Sequence, residues 1–213
     1  MRVSPLREFG LKAVLWLPLA FFLWFVLAEA LVWPVIRMAG VVLTSLWPDL
    51  FGQIGQHGHF METGTRVLVD QVDAQGRGGI GELVLRQNPM IYGYSLPLFA
   101  GLAMAAPLDM GQRLLQFGVA FAAIWLTQSF GLVAESLKLL AFDSGPVGAS
   151  AIKRAGIPAN AIALAYQFGY LILPALMPVA LWLGLNRDFV MTLVHPVAEP
   201  AGHPPGRSPE SQE

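Results

Sequence analysis

Residues 13–33 read "AVLWLPLAFFLWFVLAEALVW", and this run decides what kind of fold the chain can have. Only Glu29 interrupts its 21 apolar positions. At about 1.5 Å per residue, a helix over them covers roughly 31 Å, the thickness of a bilayer's hydrocarbon core. Arg2, Arg7 and Lys12 precede the run, as basic residues precede the apolar core of a signal peptide. It is too long for such a core, and it ends in "EALVWPVIR", without a small-x-small cleavage site. The reading is a retained transmembrane helix.

Composition agrees with that reading. The 213 residues are 55% hydrophobic and only 13% charged, where soluble domains carry about 25% charged residues. Mean hydropathy is +0.56. Thirteen basic and fourteen acidic side chains leave a net charge of -1, which offers no field for nucleic acid. There is no cysteine. Structural disulfides, thiolate metal sites and a cysteine nucleophile are therefore excluded.

Outward from the first run, residues 34–47 ("PVIRMAGVVLTSLW") stay apolar but are too short to span alone. They read as a kinked extension or an interfacial helix. Three further spans follow at 91–108, 114–134 and 161–185, the last bent by Pro174 and Pro178. Prolines are tolerated in lipid where a neighbouring helix or side chain satisfies the freed carbonyl. The expected fold is a mainly α membrane protein, a four-transmembrane-helix bundle with a small β-hairpin insert between helices 1 and 2. Residues 1–12 and 186–213 read as cytoplasmic, the latter a disordered tail, and 135–160 as a periplasmic loop.

The insert, 48–90, is the water-facing part and is expected in the periplasm. "TRVLVDQV" (65–72) and "IGELVLRQN" (80–88) alternate in part. Between them "DAQGRGG" (73–79) carries turn residues, with Gly76, Gly78 and Gly79 free to take positive φ. The chain then re-enters the membrane through "NPMIYGYSLPLF" (88–99). Asn88 and Pro89 end the strand, because proline donates no ladder hydrogen bond. Tyr92 and Tyr94 are expected in an aromatic belt with wet hydroxyls. Gly93 lets the backbone turn, and Pro97 falls in a first helical turn, where a missing N–H costs little.

Charged residues within apolar runs are the natural candidates for chemistry, since burying one costs roughly 3 kcal/mol even on the lenient insertion scale. Glu29, Arg37 and Glu135 are those residues, and together they are expected to flank a polar cavity if the chain is a transporter or channel subunit. Charges at helix ends also reach the interface without function, and Glu135 has Lys138 at i+3 as an alternative partner. Gln116, Gln128 and Gln167 are expected to hydrogen-bond between helices, for about 1 kcal/mol each. "GLAMA" (101–105) and "GVAFA" (118–122) supply small residues four apart for close helix approach. His57, His59 and Glu62 in "QHGHFME" (56–62) are metal-ligand types without a third ordered ligand, so no metal or cofactor is expected. "GYSLP" lacks the second glycine of a nucleophile elbow. An intramembrane enzyme using Glu135 or the two histidines is the remaining catalytic option.

A basic N-terminus followed by "LKAVLWLPLAFFLWFVLA", a short strand insert and then "NPMIYGYSLPLFAGLA" resembles the exosortase H-associated membrane proteins of Gram-negative bacteria. The resemblance covers about residues 5–188. It implies a multi-pass inner-membrane protein that accompanies an exosortase, a transpeptidase-like enzyme using a cysteine assisted by arginine and histidine. A chain without cysteine cannot be that enzyme. What the resemblance implies is a non-catalytic accessory, with membrane lipids and an exosortase as partners. On that expectation Asn88, Pro89, Tyr92, Gly93, Tyr94 and Pro97 belong to a partner-binding or structural surface. Glu29, Arg37, Gln128, Glu135 and Gln167 are expected as buried polar residues.

Overall fold

The structure is a computed structural model that describes residues 4–72 and 78–194. Helix α1 (Pro5–Val26) opens with Ser4 as N-cap, whose hydroxyl accepts from the Arg7 N–H. The backbone breaks at Leu27 and resumes as α2 (Ala28–Leu46). The expected break at Pro34 is not there: that proline lies inside α2, and the first apolar run is divided between two helices. Packing places the break, because α1 lies along one neighbour, α4 (Ser95–Ala105), while α2 lies against another, α5 (Met110–Lys138).

The insert expected to face water is a three-stranded antiparallel sheet, not a lone hairpin. β1 (Phe51–His57), β2 (Phe60–Val72) and β3 (Gly78–Gln87) pair in the order β1-β2-β3. The expected hairpin is β2–β3, with Val72 opposite Gly78 and Met61 opposite Gln87. Gly78 and Gly79 are paired strand residues, and neither takes the positive φ expected of them. Gly76 and the rest of 73–77 lie outside the described residues. Among the described residues of this insert, the positive φ belongs to Gly58, at +58°, between the paired His57 and Phe60. A two-residue hairpin demands glycine at that first central position.

Helix α3 (Met90–Gly93) and α4 bring the chain back beside α1. Gly93 lies against Trp24, and Gly101 faces Leu17 so closely that a Cβ there would sit 2.6 Å from its Cδ2. The pair is antiparallel, and the small residue expected to permit close approach does so. Beyond α5 come a π-helical turn (Leu139–Asp143), α6 (Gly145–Arg154), α7 (Ala159–Gln167), a second π turn (Phe168–Ile172), α8 (Leu173–Leu185) and α9 (Arg187–Val194). The expected loop at 135–160 is thus largely helical. Residues 187–194 also form a helix in place of the start of a disordered tail, with Phe189 edge-on to both Phe9 and Trp182. From His195 onward the chain lies outside the described residues.

Among the described residues, four helices are long and apolar enough to cross a membrane: Leu6–Val26, Ala28–Leu46, Met110–Asp143 and Ala159–Leu185. The expected second span is the shorter Met90–Ala105. The last span holds its prolines as expected. Pro178 cannot donate to the Pro174 carbonyl, and the Ser95 hydroxyl of α4 donates to that oxygen instead, at 2.7 Å.

Candidate functional site at the junction of bundle and sheet

Residue contacts divide the molecule into two ends. At one, Phe9 of α1 stacks on Trp182 of α8, with ring centroids 5.2 Å apart. Gln116 of α5 and Asn186 exchange hydrogen bonds of 3.0 and 3.1 Å across the same end. The interhelical role expected of Gln116 is filled there. At the other end Gly131 of α5 meets Gly169, and Lys138 lies over the Tyr166 ring. The sheet sits on this second end.

Two polar features occupy the junction. The first is a buried cluster. Gln87, the last residue of β3, donates from Nε2 to the Leu132 carbonyl of α5 at 3.2 Å and accepts from the Ser136 hydroxyl at 2.8 Å. It therefore fastens the sheet to the bundle. Beside it the Tyr92 hydroxyl faces the Glu135 carboxyl, with Lys138 near by. Neither the Tyr92 hydroxyl nor Glu135 Oε2 completes a hydrogen bond of good geometry among the described residues. Tyr92 is fully buried, so its expected place in a wet aromatic belt is corrected. Its ring fills the space that Gly131 leaves, where a Cβ would come within 2.8 Å. Tyr94 is half-buried. Tyr170 stands edge-on to Tyr92 and stacks on Tyr166. Both π turns adjoin this cluster, one directly after Lys138 and one containing Tyr170. Such turns often mark functional positions.

The second feature is an open groove of about 1070 Å³ between α2 and β1. Glu29 and Arg37 both line it, and both are exposed. Arg37 lies over the Trp33 ring, 5.7 Å from its centroid. Glu135 is not part of this groove. The expected common route through Glu29, Arg37 and Glu135 is therefore not assembled. Lys138 pairs with Asp143, not with Glu135.

The other expected positions are dispersed. Asn88 caps the turn into α3, its Oδ1 accepting from the Met90 N–H at 3.0 Å, and Pro89, Gly93 and Pro97 are buried. Gln128 is buried, with its Nε2 lacking a partner among the described residues, whereas Gln167 is exposed on the isolated chain. His57 Nδ1 lies 2.9 Å from Glu62 Oε2 across the β1–β2 turn. No group of three or more His, Asp or Glu side chains among the described residues could hold a metal ion. Gln87 and Ser136 were not singled out by sequence. Their signal is faint: a glutamine at the end of an alternating strand and a serine in a long helix.

Comparison with known proteins adds one finding. A model of the exosortase H-associated membrane protein family matches residues 3–189. No curated protein and no solved structure matches the chain. With nearly the whole described length covered by the family match, and with apolar helices carrying a small sheet at one end, the chain belongs to the exosortase H-associated membrane proteins.

Proposed function

We propose that the protein is a non-catalytic accessory of an exosortase-type protein-sorting system in the bacterial inner membrane. It binds a membrane partner through its helix faces and presents its sheet on the periplasmic side. The observation that carries this reading, beside family membership, is the poor burial of α1. Of its described residues only Ala13 is buried within the chain. Leu11, Val14, Leu15, Phe22 and Phe25 are all exposed. A helix this open faces lipid or another membrane protein, and an associated protein needs such a face.

Charge and connectivity support the orientation. Lys12, Arg113 and Arg187 lie at the end that holds Phe9 and Trp182, and basic residues near span ends favour the cytoplasm. Trp24 and Gly93 touch, so everything between them, α2 and the sheet included, leaves and returns at the same end. That end is periplasmic in this reading. Arg66, Lys153 and Arg154 lie there too, in a long translocated segment, where charge weighs less. Purification of the tagged protein in mild detergent is expected to recover an exosortase. A clean monomer, together with unaltered sorting after deletion of the gene, overturns the proposal.

A further inference from the structure

The groove between α2 and β1 has a wall of unusual chemistry. β1 is an edge strand, paired with β2 on one side only. In an antiparallel ladder, alternate residues turn both backbone groups toward the partner strand and the others turn them away. Counting from His57–Phe60, the pair that closes the two-residue turn, His57 and Gly55 face β2. Ile54 and Gln56 then direct their N–H and C=O groups to the open edge. Both line the groove. No backbone partner for these groups occurs outside the sheet among the described residues.

The opposite wall is the exposed stripe of α2. Trp33 is 54% and Val41 65% exposed, and Arg37 lies between them. Gln56 braces the two walls, its Nε2 donating to the Glu29 carbonyl at 2.9 Å. Its Oε1 is buried in the same wall without a hydrogen-bond partner among the described residues. A site with an open strand edge on one side, an apolar helix stripe on the other and charges of both signs suits one kind of occupant. Lipid tails would satisfy the stripe but not the backbone groups, and a helix would leave the edge unpaired.

We infer that this groove binds an extended polypeptide segment of a partner, which adds to the sheet as a fourth strand beside β1. Main-chain hydrogen bonds to Ile54 and Gln56 supply the pairing. Alternate apolar side chains of the segment pack on Trp33 and Val41, and an acidic side chain reaches Arg37. This inference rests on the accessory reading above, in which the sheet faces the periplasm.

The test uses the full chain in nanodiscs and synthetic heptapeptides alternating valine and threonine, with one central glutamate. Binding is expected to slow amide exchange at Ile54 and Gln56. N-methylation of peptide positions of one parity is expected to weaken binding about tenfold, and of the other parity hardly at all, the size of a lost backbone hydrogen bond. Arg37→Glu should weaken the glutamate peptide and favour a lysine counterpart. Ile54→Pro removes an edge donor that β2 does not use, and should abolish pairing while β2–β3 exchange stays unchanged. Trp33→Ala provides a second variant remote from the strand. Equal loss at both parities, unchanged exchange at Ile54 and Gln56, or displacement by phospholipid alone overturns the inference. Exosortase recovery is scored in parallel with Ile54→Pro. Retained recovery with lost peptide binding confines the effect to the groove, and failure of recovery by the unaltered chain tells against the accessory reading itself.

Discussion

Glycines decide how closely this chain packs, and each does so through a named neighbour. Gly131 leaves room for the Tyr92 ring, and an added Cβ would lie 2.8 Å from it. Gly131→Ala is therefore expected to destabilise the protein by about 1–3 kcal/mol, the usual effect of overpacking. Gly118, on the same helix, has nothing within 4 Å. Gly118→Ala is expected to be neutral or to stabilise by up to about 1 kcal/mol through helix propensity. Thermal unfolding in detergent of the two variants, side by side, checks both expectations. Gln87→Leu is the matching polar test. Losing its bonds to the Leu132 carbonyl and the Ser136 hydroxyl should cost about 1–3 kcal/mol, with faster amide exchange in β3 before the helices respond. An unchanged midpoint and exchange pattern would remove Gln87 from its fastening role. Sequence singled out neither Gln87 nor Gly131, because neither a glutamine at a strand end nor a glycine in a helix names its partner, whereas Gly118, expected to permit close helix approach, has no neighbour there. Tyr92 is the instructive case. Its place beside an apolar run suggests a membrane interface, and only the cleft at Gly131 turns it inward.

Elements were legible where their pattern is intrinsic. β2 and β3 alternate, the long apolar runs are helical, and Pro174 and Pro178 lie in a span whose freed carbonyl finds the Ser95 hydroxyl. β1 was missed because "FGQIGQH" has two glycines and one β-branched residue, too little to read as a strand before β2 is there to pair it. The break at Leu27 was misplaced to Pro34 for the same reason: α1 and α2 pack on different neighbours, and no residue type at 27 announces it. Gly58 offers the sharpest test at this scale. Its φ of +58° costs a residue with a Cβ about 1–2 kcal/mol. Gly58→Ala should fray the β1–β2 turn, raising amide exchange in β1 while β3 stays protected. Unaltered exchange in β1 would mean that the turn does not hold the strand.

At the scale of the molecule, α1, α4, α5 and the α7–α8 segment run antiparallel in turn, so that α2, the sheet and α6 gather at one end. α1 is about 33 Å long and α5 about 44 Å, against a hydrocarbon core of roughly 30 Å, so in the proposed placement α5 extends beyond the membrane and carries the sheet on Leu132 and Ser136. Met90–Ala105 is shorter, at about 24 Å, and packs against α1 for much of that length. α2 has the length and composition of a span, yet Trp24 and Gly93 bring the flanks of the whole segment made of α2 and the sheet back to one side. Whether α2 crosses thus decides the side on which the sheet lies. The chain has no cysteine, so single-cysteine variants can be read without background. The decisive measurement is labelling of His57→Cys and Gly111→Cys in intact cells by a membrane-impermeant thiol reagent. The account predicts that position 57, in the exposed β1–β2 turn, labels before lysis and that position 111 labels only afterwards. Protection of position 57 until lysis would contradict it.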